Sequence, residues 1–167
     1  QHFSDAYHGT EGPLQIEDPK NSHPLENLFF NALDDLGVSR NPDYNGAVQE
    51  GSFRYQFTTK NGRRQSAADG FLNPVLDRQN LEVITGAQIT GLAMDGTKVT
   101  GVTYAKGREA VVVSGGEVIL SSGTIGSPHL LMLSGIGPAQ EIEKHGIKCV
   151  NDLPGVGQNL LDHFAGP

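Results

Sequence analysis

Val118-Ile119-Leu120-Ser121-Ser122-Gly123-Thr124-Ile125-Gly126-Ser127-Pro128-His129-Leu130-Leu131-Met132-Leu133-Ser134-Gly135-Ile136-Gly137-Pro138 is the stretch that decides the fold. An apolar, β-branched run empties into small residues and a glycine, and a short helix follows. Ser127 reads as the N-cap of that helix and Pro128 as its first residue, where a missing N–H costs nothing. Gly135 reads as the left-handed residue just past the helix end. A buried strand that opens through a small-residue loop into a helix N-terminus is how α/β folds build nucleotide sites. The backbone can approach a ligand closely there, and unpaired N–H groups face it.

Upstream of this stretch the signals are those of short strands. Leu81–Thr85, Ala87–Met94, Lys98–Tyr104 and Glu109–Val113 are runs of strand-forming residues. They are separated by turn chemistry at Asp95-Gly96 and Lys106-Gly107-Arg108, so they read as an antiparallel meander placed before the deciding strand. Phe53, Tyr55 and Phe57 alternate with polar residues and read as a half-buried strand. Two helices complete the N-terminal half. Pro24–Leu36 carries Leu25, Leu28, Phe29, Ala32, Leu33 and Leu36 at helical spacing with Gly37 as its stop, and Phe29 and Phe30 read as core. A second helix starts at Ser66 as N-cap, with Asp69 three residues on as its capping partner. Tyr7–Leu14 reads as a turn feeding a short strand, Leu14–Glu17, with His8 an exposed loop histidine. Downstream, Pro138–His145 reads as a short helix closed by Gly146, and Cys149–Asn151 as an edge strand.

Composition bounds the function. The 167 residues suit about one domain. The net charge of −7 leaves no basic stripe to displace phosphate counterions, which argues against a nucleic-acid partner. The single cysteine, Cys149, cannot form an internal disulfide. No apolar run approaches the roughly 20 residues that span a membrane, and no signal peptide is visible, so localisation is left open.

Gly135-Ile136-Gly137 and Gly155-Val156-Gly157 lack the third glycine of a dinucleotide fingerprint, having Gln140 and Leu160 in its place. No histidine–cysteine set has metal-ligand spacing, so no metal is expected. No Gly-x-Ser-x-Gly elbow occurs. Asp162-His163 places a carboxylate beside an imidazole, but adjacent residues rarely orient one another for acid–base work.

Taken together, the motifs carry a resemblance. Ser122-Gly123-Thr124-Ile125-Gly126-Ser127-Pro128, continuing through Leu131-Met132 to Ser134-Gly135-Ile136-Gly137-Pro138, resembles the second signature of the glucose–methanol–choline (GMC) flavoprotein oxidoreductases. Tyr7-His8-Gly9-x-x-Gly12-Pro13-Leu14, Asp43-Tyr44-Asn45-Gly46, Gly62-x-Arg64-x-Ser66, Phe71-Leu72-x-Pro74 and Arg78-x-Asn80-Leu81 fall in that family's order. So does Leu153-Pro154-Gly155-Val156-Gly157-x-Asn159-Leu160-x-Asp162-His163. The resemblance covers essentially the whole chain.

It implies an α+β, mixed α/β fold. One part belongs to an FAD-binding domain, a mixed sheet with an inserted antiparallel meander. The rest belongs to an antiparallel-sheet substrate domain. Residues 1–60 would be a substrate-domain portion, 61–150 an FAD-domain portion, and 151–167 the return into the substrate domain. The implied activity is that of the family's alcohol and choline dehydrogenases: a base takes the hydroxyl proton of a small-molecule alcohol and hydride passes to the flavin. The electron acceptor is left open, and a hydroxynitrile-lyase-type member or a flavin-free binding module are the alternatives. The family's pyrophosphate loop and catalytic histidine would lie in the remainder of a longer parent chain. For this segment the resemblance implies FAD contacts at Ile89, Ser122, Gly123, Thr124 and Asp162. His163 is a candidate beside the substrate cavity, and no other catalytic residue is expected here.

Overall fold

A computed structural model describes residues 6–163, so the ends of the first and last expected domain portions lie outside the described residues. The chain divides into two compact units, one running to Val83 and one beginning at Ile84.

The first unit contains, among the described residues, one α-helix, a short hairpin and two helical turns joined by loops. Helix α1 spans Pro24–Asp35. Its capping box is made by His23, whose ring accepts from the Leu25 N–H while the Glu26 carboxylate accepts from the His23 N–H. Pro24 occupies the first turn, where no N–H is needed. Gly37, at φ +81°, ends the helix as expected. The apolar stripe does not form a core, however. Leu25, Leu28 and Phe29 are each more than three-fifths exposed, so the reading of Phe29 as core is corrected. Phe30 is half-buried under two guanidinium groups, those of Arg40 and Arg54.

Strands β1 (Thr59–Lys60) and β2 (Arg63–Arg64) form a hairpin about Asn61-Gly62. Both turn residues have positive φ, 54° and 74°, which is the type I′ geometry that matches strand twist. The expected helix after Ser66 is a wide π-type turn, Ala68–Leu72, followed by a 3₁₀ turn, Asn73–Val75. Ser66 and Asp69 cap it reciprocally: the Ser66 N–H and hydroxyl donate to the Asp69 carboxylate, and the Asp69 N–H donates to Ser66 Oγ.

Two expected strands, one in this unit and one crossing its boundary after Val83, are extended segments without a ladder. Of Phe53–Phe57, only Phe57 makes a bridge, to Glu17, and the preceding Ser52 bridges Arg40. Leu81–Thr85 pairs with nothing among the described residues. A strand is completed by its neighbours rather than by its own pattern.

The second unit contains the expected meander. Strands β3 (Gln88–Asp95), β4 (Lys98–Lys106) and β5 (Glu109–Ser114) form an antiparallel sheet in that order. Helix α2 (Gly123–Leu133) packs on β3. Strand β6 (Ile136–Gly137), helix α3 (Ala139–Lys144) and strand β7 (Asn151–Asp152) close a small parallel β–α–β unit. The fold is thus mixed, with antiparallel and parallel sheets. Its buried apolar side chains among the described residues are Tyr104 on β4, Leu130 on α2 and Ile142 on α3.

Candidate cofactor site

Helix α2 starts five residues earlier than its sequence suggests. Ser122 is the N-cap, and its side chain makes no capping bond. Ser127 is not the cap but the fifth helical residue. Its hydroxyl folds back to accept from the Ser122 N–H at 3.1 Å. Pro128 lies inside the helix, where it has no N–H to return to the Thr124 carbonyl. The start is made possible by Gly123, at φ +81° with open space where a Cβ would be. The first turn therefore presents small residues, exposed Ser122, Gly123 and Thr124, and no side-chain cap of its own. The helix dipole adds partial positive charge at this end.

Residues leading into the helix and on its first turn are apolar yet uncovered. Ile119 is 83% exposed and Ile125 75% exposed. Val118–Leu120 makes no ladder, which corrects the reading of this run as a buried strand. Only Leu130 of α2 is buried, although the helix is apolar around most of its circumference. Such a helix belongs in an interior.

The far end of α2 is fixed firmly. The Leu92 N–H on β3 donates to Ser134 Oγ at 2.9 Å, and that hydroxyl donates to the Leu130 carbonyl at 2.7 Å. Gly135 follows at φ +82°, and a Cβ there would come within 2.5 Å of the Lys148 carbonyl oxygen and 2.9 Å of Val150. Only glycine fits. The Gly135 carbonyl accepts from the Val150 and Asn151 N–H groups, at 2.7 and 3.1 Å, which docks the strand after α3. The Asp152 carboxylate accepts from the Ala139 N–H at 3.0 Å and so caps α3 from the neighbouring strand. Ser134 and Asp152 escaped the sequence reading because their partners lie 42 and 13 residues away.

The remaining expected site residues are placed as follows. Ile89 is half-buried on β3 opposite Tyr104, at the edge of a bulge that ends at Gly91. The sheet that carries Ile89 is the one α2 packs on. Asp162 and His163 are exposed, and the Asp162 carboxylate accepts from the His163 backbone N–H at 2.8 Å. The carboxylate thus serves the backbone and not the imidazole. In the first unit, His8 is not an exposed loop residue: its Nε2 meets Asp43 Oδ1 at 3.1 Å, with both side chains about four-fifths buried.

Three carboxyl groups are held below their usual range by hydrogen bonds: Glu17 by the Thr59 hydroxyl, Asp69 by Ser66, and Glu141 by Lys144. All three belong to turns or to a helical ion pair, and none is a candidate residue. Among the described residues no group of three potential metal ligands converges.

A helix with a small-residue first turn and no side-chain cap, packed on an antiparallel meander and anchored to it at its far end, is a mixed α/β arrangement suited to a nucleotide cofactor. The family follows from comparison: the GMC oxidoreductase model matches residues 1–165, and the chain belongs to that family. It is 46% identical over 161 residues to an alcohol dehydrogenase [acceptor] of Pseudomonas putida, covering 95% of this chain and 29% of that protein. It is 44% identical to an oxygen-dependent choline dehydrogenase of Staphylococcus xylosus, covering 96% and 29%. Among solved structures, an FAD-dependent oxidoreductase of Chaetomium thermophilum superposes with a TM-score of 0.84 at 28% identity, covering 90% of this chain and 27% of that one. The chain therefore spans under a third of the length of these relatives. The family's cofactor is FAD. The residues present fit one wall of such a site: a glycine with open space at its Cβ position, two short exposed hydroxyl side chains and a first helical turn without a side-chain cap.

Proposed function

We propose that this chain is a segment of an FAD-dependent oxidoreductase that oxidises a small-molecule alcohol at its CH–OH carbon. The observation that carries the reading is the first turn of α2, with no side-chain cap and with Gly123 at φ +81° open to approach. FAD, when bound, supplies the hydride acceptor. Ser122, Gly123 and Thr124 form the wall against its adenosine and ribose, where hydroxyls and N–H groups meet polar oxygens at close range. Ile89 offers its backbone to the adenine edge, and its half-buried side chain packs in the sheet. Asp162 lies on the cofactor side, and His163 borders the substrate cavity.

In this reading residues 61–150 are the FAD-domain portion, with 1–60 and 151–167 in the substrate domain. The catalytic base and the pyrophosphate loop come from further polypeptide. The large uncovered apolar surface supports that division, because the three apolar side chains buried among the described residues make a small core for an independent domain.

The test compares two proteins: residues 1–167 alone, and a full-length chain carrying them. The full-length protein should purify with flavin that an alcohol bleaches without oxygen, and 1–167 should purify colourless. Flavin retained by 1–167 defeats the division of labour. Flavin in the full-length protein that no alcohol reduces, while a cyanohydrin is cleaved, replaces oxidation with lyase chemistry.

A further inference from the structure

Gly137 and Gly157 belong to the two Gly-x-Gly pieces that fail as dinucleotide fingerprints, and both border one side chain. It is that of Met132, in the last turn of α2. A Cβ at Gly137 would lie 2.9 Å from Met132 Cγ and 3.7 Å from Val156. A Cβ at Gly157 would lie 3.4 Å from Met132 Cε and 3.8 Å from its Sδ. The stem of Met132 therefore occupies space that a side chain at 137 would need, and its thioether end rests beside 157.

This packing has a job that hydrogen bonds leave undone. Residues 154–157 form the turn that follows β7. The Leu153 N–H donates to the Gly137 carbonyl at 3.0 Å and ties the entry of the turn to β6. From there the bonds close on the turn itself: the Val156 N–H donates to the Leu153 carbonyl at 3.1 Å, and the Gln158 N–H to the Gly155 carbonyl at 3.2 Å. Among the described residues, 154–158 make no hydrogen bond to α2 or to the sheets of this unit. The turn is held on α2 by packing, with Met132 and Val156 meeting at the bare face of Gly137.

The packing element is a thioether, and a thioether can be oxidised. Met132 is half-buried, and Gly157, which is exposed, borders its sulfur with backbone alone. We propose that Met132 is a site of oxidation by peroxide and that its sulfoxide releases the turn 154–157 from α2. A sulfur lone pair attacks one peroxide oxygen, the O–O bond breaks, an S–O bond forms, and the second oxygen leaves as water. Sulfur gives up two electrons and the peroxide takes them. The sulfoxide is polar where the thioether was apolar, so it draws toward water instead of packing against Val156 and the glycines. The turn leads on to Asp162 and His163, and its release frees the segment that carries them. Bound flavin is not required for this chemistry, and every residue named lies in the second unit.

A full-length protein carrying these residues, treated with hydrogen peroxide, tests this by peptide mass mapping and amide hydrogen exchange. Met132 should convert to the sulfoxide. The Val156 and Gln158 amides should then exchange about tenfold faster, a loss of roughly 1.4 kcal/mol of local stability, and methionine sulfoxide reductase should restore their protection. Met132→Leu keeps the volume without the sulfur and should exchange at one rate with or without peroxide. Met94→Leu alters the chain's other methionine, which is half-buried opposite Val99 in the β3–β4 ladder, and should leave the response unchanged. The proposal is overturned by a Met132 that stays a thioether at peroxide doses that oxidise it in the urea-unfolded protein. It is equally overturned by Met132 sulfoxide with unchanged exchange at Val156 and Gln158, by a response that the reductase does not reverse, by a response that persists in Met132→Leu, or by one that vanishes in Met94→Leu.

Discussion

At the scale of single residues, the positions that matter most are those with two independent constraints. Gly135 needs both a positive φ and empty space beside Lys148 and Val150. Gly135→Ala should therefore cost at least about 2 kcal/mol, from the left-handed backbone and the clash together, read as a lowered thermal midpoint. Ser134 links β3 to α2 through one donated and one accepted hydrogen bond. Ser134→Ala should cost about 1–3 kcal/mol because the Leu92 N–H loses its acceptor in a half-buried site. Asp69 offers a titration test. Its carboxyl is held below the ordinary value of 3.8 mainly by the Ser66 hydroxyl. A depressed carboxyl stabilises the folded turn above its unfolded-state value and loses that contribution as pH falls through its folded-state value. Ser66→Ala should return the Asp69 titration toward 3.8, followed by NMR, and should remove this acid-induced loosening.

Among the elements, legibility in the sequence followed the range of the interactions that make them. Helix α1, the β3–β4 and β4–β5 turns and the end of α2 at Gly135 were legible because Gly37, Asp95-Gly96, Gly107 and Gly135 act within a few residues. The start of α2 lies at Gly123 and not at Pro128. Ser127-Pro128 has the local chemistry of a helix start, but Gly123, free of a side chain, lets the chain turn into the helix sooner. Phe53–Phe57, Leu81–Thr85 and Val118–Leu120 have strand patterns and no ladder, because pairing is non-local. The His8–Asp43 pair was invisible for the same reason, its members being 35 residues apart. Of the candidate site, the Ser122–Thr124 turn could be placed from motif order, while its anchors Ser134 and Asp152 could not. The early start of α2 carries a prediction. Gly123→Val should strain the first turn and lower the flavin content of a full-length protein. The same substitution at Gly116, which also has open space at its Cβ position but no positive φ, should leave flavin content unchanged.

At the scale of the whole molecule, the balance of covered and uncovered apolar surface dominates. Tyr104, Leu130 and Ile142 are buried among the described residues, whereas Leu25, Phe29, Ile119, Ile125 and Leu161 are among many that are not. Exposed apolar surface of this extent marks sites that other polypeptide covers. Residues 1–167 produced alone should bind a hydrophobic dye and associate with rising concentration, as seen by light scattering, and a dye-silent monomer would contradict this. The central claim is that these residues form one wall of an FAD site in an alcohol-oxidising enzyme. Its most direct test is the visible flavin spectrum of a full-length protein carrying them, mixed with a primary alcohol in the absence of oxygen. The expected result is a flavin band that bleaches on mixing and returns with an added electron acceptor. A full-length protein that purifies without flavin, or whose flavin band no alcohol bleaches, would contradict it.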